Sequence, residues 1–208
     1  MVFMDEKIIQ LENAVQQEHE RLKKDKENQC SQEQTETFKI SPESIAQHIK
    51  NGSVTIKDKT IDFEKQSFCN DRIQLCFPKE FFICALDEAE SAIYKNDEND
   101  VNAIFSVVKK ETRTLKMPDL KKQIIQNMKS MDLYTEWIED GALDIEGNAI
   151  PFCLFSNPVA NGKVFNLMFF ISLGKNNLIV NINGNANDLW LWEPIGKGML
   201  QTLEINQK

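Results

Sequence analysis

Val164 to Leu173 reads V-F-N-L-M-F-F-I-S-L, and Leu178 to Asn183 reads L-I-V-N-I-N, with Gly174-Lys175-Asn176-Asn177 between them. Two strand-length apolar runs separated by a short Gly/Asn turn are the signature of a β-hairpin. A second turn signal, Asn183-Gly184-Asn185, leads to Trp190, Trp192 and a short apolar segment of helical character. The hairpin closed by a C-terminal helix sets the architecture, and it carries no chemistry of its own.

Working outward, the first of these strands has an unusual second face. Phe165, Leu167, Phe169, Ile171 and Leu173 alternate onto one side, and Asn166, Met168, Phe170 and Ser172 onto the other. A strand wet on one side alternates more cleanly, so Met168 and Phe170 call for a cover. Asn181 and Asn183 lie opposite Leu178, Val180 and Ile182. With Asn166 and Ser172 they suggest a polar groove on the same outer face, although lone polar residues on a sheet are more often simply solvated.

The final helix is expected to start at Pro194, with Ile195, Met199, Leu200 and Leu203 as its buried stripe. Gly196 and Gly198 weaken its propensity, so it depends on packing. The Gly-Lys-Gly here lacks the strand and spacing of a phosphate loop.

Upstream, Ser41-Pro42-Glu43 opens a short helix with a Ser cap and Pro in the first turn, and Asn51-Gly52 stops it. Val54–Ile56 and Thr60–Phe63 pair around Lys57-Asp58-Lys59. Ile73, Leu75 and Phe77 alternate up to Pro78, which ends that strand or places it on an edge. Strands follow at 81–86, 91–94 and 102–109. Met117-Pro118-Asp119 then opens a helix whose stripe, Leu120, Ile124, Met128 and Met131, reads as core. Strands at 137–145 and 150–155 lead back to the hairpin. Short turns between successive strands imply antiparallel pairing. The class is therefore α+β: a curved antiparallel sheet with helices packed on one face, plus an N-terminal amphipathic helix.

That N-terminal helix spans residues 3 to about 29, with Ile8, Leu11, Val15 and Leu22 on one side. A polar linker of 26–37 follows, so residues 1–37 stand apart from a single domain at 38–208. The narrow stripe needs a surface, either its own domain or a partner. The helix is the expected cover for Met168 and Phe170. A second copy would also suit it, giving a homodimer.

Composition excludes more than it assigns. The 32 acidic residues against 24 basic give a net charge of −8, which disfavours nucleic acid and anionic membrane surfaces. Lys109, Lys110, Arg113, Lys116, Lys121 and Lys122 are near in sequence, and a solvated strand end and helix start explain them. Neither a leader nor an apolar run long enough to insert in a membrane is visible, so the chain reads as cytoplasmic. Its five cysteines form no C-x-x-C pair, and Cys76, Cys84 and Cys153 sit in apolar segments as small hydrophobes. With two histidines, His19 and His48, neither a metal site, a cofactor nor a catalytic set is expected. The carboxylate groups around Asp87, Glu136 and Asp144, and the cluster Asp97 to Asp100, lie at turns.

The run Ile73-Gln-Leu-Cys-Phe-Pro-Lys-Glu-Phe-Phe resembles the strand–Pro–aromatic opening of the PsbP-like superfamily. The ending is similar too: a hairpin, a Trp-containing turn, then Ile195-x3-Met199-Leu200-x2-Leu203-x-Ile205. The match covers residues 53 to 206. It implies a binding or adaptor module, with chaperone-like members that hold apolar segments, and it maps no functional residue. The expected role is thus a non-enzymatic protein-binding module whose partner is another protein. Met168, Phe170, Asn166, Asn181 and Asn183 are its candidate contact residues. The competing expectation is a small-ligand binder or enzyme with a pocket between sheet and helices.

Overall fold

The computed structural model describes residues 41–110, 116–145 and 147–206. The chain divides into a unit 1–39 and a unit 40–208. The N-terminal helix, the linker and their expected cover over Met168 and Phe170 lie outside the described residues.

Helix α1 (Pro42–Lys50) begins as its sequence dictates: the Ser41 hydroxyl accepts from the Ser44 N–H at 3.3 Å, and Pro42 occupies the first turn. Gly52, at φ +100°, turns the chain into β1 (Ser53–Ile56). Next come β2 (Lys59–Phe68), β3 (Ile73–Pro78), β4 (Ile83–Asp87), β5 (Ser91–Asn96) and β6 (Val101–Lys109). Helix α2 (Met117–Ser130) interrupts the strands. Then β7 (Glu136–Ile145), β8 (Asn148–Val159), β9 (Gly162–Leu173) and β10 (Asn176–Asn185) run as a meander. A 3₁₀ turn (Ala186–Asp188), helix α3 (Leu189–Leu200) and β11 (Glu204–Ile205) close the chain.

Every pairing is antiparallel, as short turns require. The strands form two sheets, ordered β1-β2-β3-β11 and β4-β5-β6-β10-β9-β8-β7. An aromatic cluster joins them: Phe68 of β2 stacks on Phe105 of β6 at 4.5 Å, and Phe77 of β3 meets Tyr94 of β5 edge-on at 5.2 Å. The inner face of the larger sheet carries Phe165, Leu167, Phe169, Ile171, Leu178, Val180 and Ile182, all buried.

The α+β class and the curved antiparallel sheet are as the sequence implies. Packing on one face holds for α1 and α3, which meet each other against the inner side. Helix α2 is the exception and lies over the outer face. Its stripe is also not core: none of its residues is buried, and Met131 is 57% exposed. The reason is its attachment. Lys121 Nζ sits 4.6 Å over the Trp137 ring and 3.4 Å from the Asp140 carboxylate, so a polar contact holds the helix at the edge strand.

Helix α3 starts five residues before the expected Pro194, which falls inside it. Proline there removes one intrahelical bond. The buried Leu191 and Trp192 outweigh that loss by anchoring the turn ahead of it in the core. Cys84, read as a small hydrophobe in an apolar segment, is exposed, because the edge strand β4 faces solvent along most of its length.

Candidate functional site

A groove of about 1010 Å³ runs between α2 and the outer face of the larger sheet. Leu120, Gln123, Ile124 and Asn127 of α2 form one wall. Met168 and Phe170 of β9, Ile179 of β10 and Val108 of β6 form the floor, and Ile150 and Pro151 of β8 close one side. Register explains the floor: Ile179 stands directly opposite Phe170 on the neighbouring strand. The alternation that buries Phe169 and Ile171 inward forces Met168 and Phe170 outward, and α2 stands off from them.

The structure therefore brings Met168 and Phe170 together in one groove, and it places the asparagines elsewhere. Asn102, Asn183 and Asn166 are cross-strand neighbours on β6, β10 and β9. Asn102 Nδ2 donates to Asn183 Oδ1 at 3.1 Å, and Asn181 Nδ2 donates to Asn166 Oδ1 at 3.3 Å. Asn166 Nδ2 in turn donates to Asn157 Oδ1 at 3.1 Å. Asn157 Nδ2 ends the row on the Tyr134 carbonyl at 2.7 Å and the Thr135 hydroxyl at 3.1 Å. These side chains bond to one another in a row and none lines the groove. The Asn181 Oδ1 atom is buried and accepts no bond among the described residues. Ser172 parts from them and lines the groove, where its Oγ accepts from Lys110 Nζ at 3.0 Å.

Ile179, Val108, Leu120 and Ile124 are groove residues that sequence reading missed. Ile179 has a signal: it is apolar on a face otherwise holding Asn181 and Asn183, and it faces Phe170 once the hairpin register is fixed. Leu120 and Ile124 were legible as apolar but were assigned to a buried stripe.

Groups that could move protons are dispersed. His48 is exposed on α1 and Cys153 is buried in β8, and no hydrogen bond joins them. Burial pushes the Cys153 thiol up to about 12 and the Cys69 thiol up to about 11, with Asp140 and Asp87 respectively adding repulsion, so both stay protonated at neutral pH. Tyr94 is also raised, first by burial and then by Asp87. Its hydroxyl donates to Asp87 Oδ2 at 3.1 Å and accepts from Gln66 at 3.0 Å, a structural bridge between the two sheets. Among the described residues no cluster of three or more His, Cys, Asp or Glu side chains is placed to hold a metal ion. No described helix is long and apolar enough to cross a membrane.

Two antiparallel sheets around one aromatic-rich core, the larger of seven strands with a C-terminal helix against its inner face, define an α+β protein of the PsbP-like fold. Solved structures share that fold, among them the following two. One is cyanobacterial PsbP (CyanoP) from Synechocystis sp. PCC 6803, with a TM-score of 0.55 and 9% identity over 74% of this chain and 98% of that one. The other is the Ran-binding protein Mog1p of Saccharomyces cerevisiae, with a TM-score of 0.54 and 10% identity over 70% of this chain and 96% of that one. At such identities the likeness is one of fold, and function must come from the site. No protein-family model matches the sequence, and no curated protein matches it.

Proposed function

We propose that this protein is a non-enzymatic binding module that takes an apolar segment of another protein into the groove between α2 and the sheet. One observation carries the reading. Met168, Phe170 and Ile179 form a continuous apolar floor beneath a helix that buries none of its own residues. A helix packed for stability alone would close on that floor, since each buried apolar side chain contributes roughly 1.5–3 kcal/mol. The open arrangement matches the way apolar side chains of a partner are received in a preformed groove. The fold neighbour Mog1p is named for binding the protein Ran, which supports a protein-binding role without identifying a partner here. Its free thiols suit a reducing, cytoplasmic setting.

A photo-crosslinking residue placed at Met168, and in a second protein at Phe170, tests the reading in the native host. Both positions are expected to give the same discrete protein adduct, absent when the probe sits at exposed Lys79. Adducts at Lys79 equal to those at Met168 would show that the groove has no special role.

A second reading has its own support. The groove volume lies at the upper end of small-molecule pockets. Native mass spectrometry of the purified protein decides in its favour if a stoichiometric small ligand is retained.

A further inference from the structure

The groove is apolar along its floor and cationic at one mouth. Lys109 ends β6, Lys110 follows it, and Lys175 sits in the turn between β9 and β10. The backbone gathers them: the Lys110 N–H donates to the Lys175 carbonyl at 3.1 Å, and Lys109 pairs in register with Asn176. Lys110 Nζ has a neutral partner, Ser172. None of the three ammonium groups has an acidic partner among the described residues. The carboxylate in the groove wall, Glu204, is committed to Lys65 at 2.6 Å. In a chain of net charge −8, three lysines with no acidic partner among the described residues give this mouth a local positive charge. Like charges brought together repel, and an incoming anion relieves that repulsion.

We propose that the occupant is an amphipathic segment of another protein, with apolar side chains that enter over Met168, Phe170 and Ile179 and acidic residues that follow them to lie against Lys109, Lys110 and Lys175. This rests on the groove reading above and adds the chemistry of its partner. The walls favour a peptide over an acyl chain with an anionic head. Gln123, Asn127, Asn148 and Asn177 line the groove, and their amides match the N–H and C=O groups of a backbone. An acyl chain has no use for them and leaves them to water. Rim pairs of this kind are weak one by one. Three together are expected to shift affinity about tenfold at low salt, mostly through faster association, and to fade as salt screens them.

The experiment uses the full chain and fluorescence anisotropy with two labelled peptides of the same Leu/Ala-rich core, one ending in glutamates and one in lysines. Unlabelled dodecanoate serves as competitor. The Glu-ended peptide is expected to bind about tenfold more tightly at low salt, with the gap closing at high salt. The combined variant Lys109→Glu, Lys110→Glu, Lys175→Glu is expected to reverse the preference. These positions are exposed, so the variant keeps the fold, which circular dichroism verifies. Met168→Asp is expected to weaken both peptides alike. If that variant does not fold, Ile179→Asn replaces it. Equal binding of the two peptides overturns the charge inference and leaves the groove reading standing. Failure of the wild-type chain to bind either peptide, or full binding of both by the folded Met168→Asp variant, overturns the groove reading as well. Dodecanoate that displaces the Glu-ended peptide and itself binds more tightly overturns the inference in favour of an anionic amphiphile.

Discussion

A Cβ built on Gly198 would collide with Ile45 of α1, and one on Gly196 would stand 2.7 Å from Leu167 Cδ2 and 2.9 Å from Ile182 Cδ1. Both glycines are buried in α3, where the helix passes close to α1 and to the inner face of the sheet. Propensity alone says that replacing them with alanine stabilises a helix by about 1 kcal/mol. Close approach says the opposite, because extra volume in a packed core costs about 1–3 kcal/mol. At Gly198 the obstacle includes the backbone nitrogen of Ala46 at 3.2 Å, which no rotamer change can move. Sterics therefore win, and Gly198→Ala is expected to lower stability by about 1–2 kcal/mol, read as a fall in the urea midpoint at unchanged slope. A rise in the midpoint would mean that α1 and α3 do not approach so closely. The glycines were visible in the sequence as poor helix formers. Their purpose was not, since Ile45 lies far away along the chain. Met168 and Phe170 were legible for the converse reason: strand alternation is local, and two apolar residues on the wrong face stand out without any knowledge of the fold.

At the scale of elements, the period of each segment was legible and its distance from its neighbour was not. Of the α2 stripe, Leu120 and Ile124 face the groove, and Met131 does not. The stripe does not say that Lys121, Trp137 and Asp140 hold the helix off and leave a groove. Likewise the start of α3 was hidden, because Pro194 mimics a first turn while Leu191 and Trp192 supply an earlier one. The tie between α3 and the edge strand β7 is also a matter of distance. Lys197 is buried, with Nζ 2.8 Å from Glu139 of β7, 2.8 Å from Glu193 of its own helix and 4.6 Å over the Phe152 ring. Burial by itself pulls the Lys197 ammonium down. The hydrogen bonds to Glu139 and Glu193 outweigh it and hold the group above its ordinary 10.5. A group raised on folding contributes stability that is complete below its unfolded value and is withdrawn as pH climbs through the folded one. Lys197→Met is therefore expected to cost about 1–3 kcal/mol near neutrality, where two carboxylates lose their partner. Glu139 is 44% exposed and takes up water, which keeps the loss at the lower end. The gap between wild type and variant is expected to hold from about pH 7 to about 10 and to narrow only as pH climbs beyond about 10.5. A gap that stays constant beyond about pH 10.5, measured by urea unfolding, would show that the ammonium charge is not what joins α3 to β7.

At the scale of the whole molecule, the class was legible because most successive strands are joined by short turns, and strands so joined pair antiparallel. Strand order was not. β10 pairs with β6 across the inserted α2, β7, β8 and β9, and β11 joins β3, which are long-range pairings that no local pattern encodes. Those same pairings decide how the body unfolds. Strands from both ends of the described region interlock: β3 is held between β2 and β11, and β6 between β5 and β10. The buried core runs from Ile45 to Leu203 as one cluster, so no sheet can open without exposing the aromatic junction of Phe68, Phe77, Tyr94 and Phe105. A chain beginning at Ser41 contains all of that cluster and is expected to fold alone, with one cooperative transition and equal calorimetric and van't Hoff enthalpies. Two transitions would mean that the two sheets are separate cooperative units and that the aromatic junction does not couple them. A chain that stays unfolded would mean that the core from Ile45 to Leu203 is too small to stabilise itself without residues 1–40.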